Sequence, residues 1–173
     1  MVLRKFQQKS IKKGIDRSII KNNISTLNAP LRTLGVIVNS DEFRDQEKFY
    51  ELAKELGLQR KDVKIITFEY LKKKAPSLKN NIVTNKDFNI RGAITNNNVL
   101  EFLDREYDAV IGYYSIENQY LDSLMAKVKS KFSIGIKGMD DRLFDLILSV
   151  NASDFESFKK ELIKYFTILK YIK

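Results

Sequence analysis

Apolar residues along this chain follow two rhythms. Near-continuous runs alternate with stretches in which apolar positions recur every three or four residues. The runs Thr33–Asn39 (TLGVIVN), Val63–Phe68 (VKIITF), Ala109–Tyr113, Phe132–Ile136 and Leu146–Val150 predict strands covered on both faces, as in a buried parallel sheet. Between them, Phe49, Leu52, Ala53 and Leu56 mark one helical face, and Leu121, Leu124, Met125 and Val128 mark another. Phe155, Phe158, Leu162, Tyr165, Phe166 and Leu169 mark a third, on a helix running almost to the end of the sequence. Tyr107–Ile136 thus reads as strand, loop, helix, strand, a unit that is parallel with a right-handed crossover.

Local signals place the ends of these elements. Ser40 predicts an N-cap, with Asp41 and Glu42 in the first turn, where negative charge suits the helix dipole. Gly57 predicts a left-handed stop followed by the hydrophobe Leu58. Ile82-Val83 predicts a short strand and Asp87–Gly92 an ordered loop. Asn96-Asn97-Asn98 caps a short helix holding Val99, Leu100, Phe102 and Leu103. Ser153-Asp154-Phe155-Glu156 has the spacing of a capping box. At the amino end, Ile11, Ile15 and Ile19 share one face of a helix over residues 1–24, before Asn28–Pro30 breaks the chain. The sum is an α/β fold: a single three-layer domain over 29–173, with a mostly parallel, Rossmann-like (doubly wound) sheet of five or six strands. A basic helical extension over 1–28 precedes it.

Composition narrows the chemistry. The 173 residues, 43% hydrophobic and 31% charged, suit one soluble domain. No apolar run approaches a membrane span, and the basic amino terminus lacks the apolar core of a signal peptide, so a cytoplasmic location is expected. Zero Cys fits that placement and excludes disulfides and thiolate metal sites. Zero His excludes Ser–His and Cys–His nucleophile pairs and the commonest metal ligand. The first strand leads into Asn39-Ser40-Asp41 rather than a glycine-rich dinucleotide turn, and no phosphate-binding loop motif occurs. No cofactor, metal site or catalytic residue is predicted.

In open α/β sheets, ligands sit beyond the carboxyl ends of the strands where the strand order reverses. That rule makes Ser40, Asp41, Ser115, Glu117 and Asn118 candidates for lining a ligand crevice. Against it, Ser40 and Asn118 also read as helix caps and Glu117 as a residue favouring a helix start. Asp140-Asp141-Arg142 reads as a turn with a local Asp–Arg pair rather than a metal site, since adjacent aspartates diverge. Tyr113, Tyr114 and Tyr120 read as half-buried packing with wet hydroxyls; the competing reading is stacking on bases.

Charge supplies the sharpest functional signal. Net charge is +9, and residues 1–21 hold seven basic residues against the single acid Asp16, a net +6. A smaller cluster is Lys72, Lys73, Lys74 and Lys79. Cations concentrated on one element are the electrostatic footprint of nucleic-acid or anionic-membrane binding, and a helix without Trp or a broad free apolar face suits insertion poorly. The competing reading is a solvated helix lying on the domain by its Ile face.

The segments LGVIVNSDEF, YDAVIGYYSIENQYLDSLMAKVKSKFSIGI and DLILSV…DFESFKKELIKYFTILKYI resemble a family of short uncharacterised proteins common in Bacteroidota, a domain of unknown function. The likeness spans most of residues 31–173 and implies no activity. Asp108-Ala109-Val110-Ile111, leading through a helix to Ser133-Ile134-Gly135, is also similar to the N-terminal Rossmann-like half of heptosyltransferase-type glycosyltransferases. That resemblance implies the fold and, with no room for a nucleotide-sugar half, no transferase activity.

Two functions are therefore expected to compete. The first is a non-enzymatic cytoplasmic binding protein. It docks through Arg4, Lys5, Lys9, Lys12, Lys13, Arg17 and Lys21 onto RNA, the ribosome included, or onto an acidic protein, with residues 1–24 dispensable for folding. The second is a small enzyme or ligand sensor using the crevice, with Ser40 and Glu117 facing each other across it.

Overall fold

A computed structural model describes residues 2–21, 30–72 and 81–172. Its first strand, β1 (Leu34–Asn39), is buried at every position, because alternate residues serve opposite faces of the sheet. Leu34, Val36 and Val38 enter one core and Ile37 the other. On one side β1 pairs with β2 (Val63–Glu69), which pairs with β3 (Ile82–Thr84). The fourth strand, β4 (Glu106–Tyr107), stands outside this sheet. The fifth, β5 (Ala109–Tyr113), pairs with the other side of β1. A short β6 (Lys129–Ser130) pairs with β4 in a two-stranded ribbon. The main sheet is completed by β7 (Ser133–Ile136) and β8 (Leu146–Leu148), giving the order β3-β2-β1-β5-β7-β8 with every pair parallel. Val36, Ile111 and Ile134 lie side by side in register.

Helices cover both faces. On one, α2 (Glu47–Glu55) and α5 (Phe155–Ile168) contribute Phe49, Leu52, Phe155, Phe158, Leu162 and Phe166. Phe49 and Phe158 meet Tyr113 edge-on, with centroids 5.2 and 4.8 Å away. Such pairs add about 0.5–1.5 kcal/mol each beyond area burial. On the other face, α3 (Asn97–Asp104) and α4 (Gln119–Met125) supply Val99, Phe102, Leu103, Leu121, Leu124 and Met125. The result is the expected three-layer α/β architecture, with six strands in the main sheet.

Several ends fall where the local chemistry placed them. Asn96 caps α3 and Asn118 caps α4, each side chain accepting two backbone N–H groups. Gly57, at φ 82°, closes α2 as Leu58 N–H donates to Ala53 C=O and Gly57 N–H to Lys54 C=O.

Others moved. The second helix begins at Glu47, not after Ser40. The carbonyl of Asn39 takes the N–H of both Glu42 and Phe43, while its side chain takes Asp41 N–H, so residues 39–43 form a turn that competes with helix initiation. Asp154, not Ser153, caps α5 by accepting Ser157 N–H. Val128 lies just past α4, though still buried. Tyr113, Tyr114 and Tyr120 are buried rather than half-buried: Tyr113 donates to Ala152 C=O and Tyr114 to Asp122. None of the three rings is free to stack on a base. Residues 22–24 of the expected first helix, and Lys73, Lys74 and Lys79, lie outside the described residues.

The first helix, α1 (Val2–Lys21), is joined to the body by its isoleucine face. Ile11 is 1% exposed and Ile15 6%, and both sit in the core shared by α3 and α4, with Ile19 packed beside them. Gln7 Nε2 donates to Phe88 C=O at 2.7 Å and Asn89 C=O at 3.1 Å. Gly92 lets the loop carrying those carbonyls approach: its φ is 76°, and a Cβ there would stand 3.0 Å from Ile11 N. Packing of this kind argues against the expectation that the helix is dispensable for folding. Among the described residues no helix is long and apolar enough to cross a membrane.

Candidate functional site

The strand order reverses between β1 and β5, so the crevice anticipated from the fold opens beyond Asn39 and Tyr113. It is filled by the chain's own carboxylate. Glu42 accepts from Ser115 N–H at 2.7 Å, from the Ser115 hydroxyl, from Ile116 N–H at 3.4 Å and from Asn39 Nδ2 at 2.9 Å. Four donors converge on it.

This plug separates the crevice candidates. Ser40 and Asp41 open towards β2, into a polar cleft shared with Arg44, Gln46, Thr67 and Asn81. Ser115 is engaged by Glu42 and Asn118 caps α4. Glu117 borders a different cavity, about 710 Å³, between α1, α4 and the loop after β7. Ser40 and Glu117 therefore line different cavities.

The floor of that second cavity holds a group that sequence reasoning missed. Asp122, on α4, is 7% exposed and accepts Tyr114 Oη–H at 2.9 Å. Burial pushes its carboxyl up to about 6; the Tyr114 hydrogen bond works the other way, and the Asp140 and Glu117 carboxylates add to the rise. Asp140 is held below the usual carboxylate range by the Arg142 guanidinium, which grips it through Nε at 2.9 Å and Nη2 at 2.6 Å. The expected Asp–Arg turn is present, and Arg142 also reaches Asp16 on α1 at 3.3 Å. No motif marks Asp122; only the folded path brings it against Tyr114.

Facing solvent, α1 displays its cations. Arg4, Lys5, Lys9, Lys12, Lys13 and Arg17 are exposed, and Lys21 is the last residue of the helix. Lys5, Lys9, Lys13 and Arg17 follow one another at intervals of four, a single row about 18 Å long at 1.5 Å per residue. Like charges at this spacing repel, by roughly 0.2–0.5 kcal/mol per pair. No acid among the described residues forms an ion pair with any of the four, because Asp16, the helix's one acid, is engaged by Arg142. Lys9 and Lys12 edge the Asp122 cavity, and Arg4 lies 6.0 Å from the Tyr70 ring centroid. The buried Ile11 and Ile15 fix the rotation of the helix, so the row is presented outward by a helix anchored to the body.

No curated protein and no solved structure matches the chain. A family model matches residues 4–169, which takes in nearly all of α1 and the whole sheet, and the chain accordingly belongs to that family, described as a family of unknown function (DUF6913).

Proposed function

We propose that the protein is a non-enzymatic, cytoplasmic RNA-binding module that docks through the exposed face of α1, on ribosomal or other RNA. One observation carries the reading: a row of four cations, unpaired among the described residues, stands on a helix whose opposite face is buried. Holding like charges in a row costs stability, and a phosphate backbone relieves that cost while releasing its own condensed counterions. The alternative of a ligand in the switch-point crevice is weakened by Glu42, which already takes the N–H groups of Ser115 and Ile116.

Binding of the full chain to total cellular RNA or ribosomes, compared with a Lys5→Glu, Lys9→Glu, Lys13→Glu variant, tests this. All three side chains are exposed and form no ion pair among the described residues, so the variant should fold like the parent. It should lose most of its RNA affinity, and retention of parental affinity would remove the reading.

A further inference from the structure

The cationic row has an aromatic residue within it. Phe6 is 57% exposed and makes no ring contact with another described residue. It lies one helical turn before Lys9 and Ser10 and two before Lys13, on the outward side of α1, and Leu3, 68% exposed, lies one turn ahead of it. Leaving two large apolar side chains in water among charges contributes nothing to folding. The helix has already used its apolar stripe, Ile11 and Ile15, against the body.

Resting on the RNA reading above, we propose that this face takes single-stranded RNA, with Phe6 as a stacking platform for one base and Lys5, Lys9, Lys13 and Arg17 following the backbone. The cations advance about 6 Å per step, comparable to the phosphate spacing of an extended strand. Unpaired bases present π-faces between those phosphates, and aromatic side chains in a basic track are the usual means of holding them. A duplex hides those faces, so it meets the lysines but not Phe6. An anionic membrane is the poorer occupant. Surface-lying helices need an apolar face along their length, whereas among the side chains described here the large exposed apolar residues of α1, Leu3 and Phe6, lie in its first two turns.

The test uses the full chain and a labelled twelve-nucleotide oligouridine, alongside a duplex of equal length and phosphatidylserine-containing vesicles, at ~50 mM salt. Phe6→Ala should weaken oligouridine binding on the order of five- to a hundredfold, leave duplex binding unchanged, and melt like the parent, since Phe6 is largely solvent-exposed. Phe6→Tyr should restore most of the loss. Parental binding of oligouridine by Phe6→Ala overturns the stacking role while leaving the RNA reading in place. Failure of the parent to bind either RNA removes both. Vesicle binding that depends on Phe6, with oligouridine binding that does not, transfers the surface to a membrane and overturns the proposal.

Discussion

Replacing Asp122 by Asn should stabilise the protein at neutral pH and do so by an amount that varies with pH. The carboxyl group lies between α4 and the sheet, accepts one hydrogen bond from Tyr114, and faces Asp140 and Glu117 across the cavity. Its folded pKa is about 6 against an ordinary 3.8. The folded state therefore binds the proton more tightly than the unfolded chain does. The contribution of Asp122 to stability falls as pH rises from about 4 to about 6 and is level beyond. At 1.36 kcal/mol per unit, the two-unit difference is worth up to about 3 kcal/mol. Asparagine keeps the oxygen that accepts from Tyr114 and carries no charge, so it avoids this cost. In a chain of this size 1 kcal/mol shifts Tm by about 2–4 °C. Thermal melts of parent and variant between pH 4 and 8 should show the variant ahead by roughly 5–10 °C at pH 8, narrowing towards pH 4. Comparing the two chains cancels the titrating groups that do not interact with Asp122. A constant gap, or a variant less stable at pH 8, would refute the account of Asp122.

Two further substitutions probe the packing. Ile11→Ala should cost about 2–5 kcal/mol in denaturant unfolding, as for other fully buried isoleucines, whereas a change at exposed Lys13 should cost almost nothing; equal small effects would mean that α1 is not part of the core. Glu42→Ala leaves the N–H groups of Ser115 and Ile116 without their acceptor and should cost about 1.5–3 kcal/mol, read as a lowered denaturation midpoint; an unchanged midpoint would show that the plug is not structural.

The sheet was legible because buried parallel strands cannot alternate with water: Leu34–Val38 must be apolar throughout, and the run says so. Asn96 and Asn118 were legible as caps because a short polar side chain ahead of an apolar stripe has one favourable use. The start of α2 was not legible, since Asn39 and Ser40 both suit a helix entrance and only the sheet geometry commits Asn39 to its own turn. Asp154 and Ser153 posed the same ambiguity one residue apart. The contact between Glu42 and Ser115 spans 73 positions and joins a turn to a loop, so no spacing rule finds it. Asp122 was hidden by its neighbours, because Leu121, Leu124 and Met125 define the face and an aspartate among them reads as solvated. The cations of α1 were plain in the sequence. Their arrangement as an outward row depended on knowing that Ile11 and Ile15 turn inward.

The salt dependence of RNA binding by the intact chain tests the central claim most directly. The four cations of the row contacting phosphates give a log–log slope of roughly −3 on a single strand. Affinity should then fall on the order of fifty-fold between ~50 and ~200 mM salt. A slope near zero, or affinity unchanged by reversing Lys5, Lys9 and Lys13, would contradict docking through the face of α1.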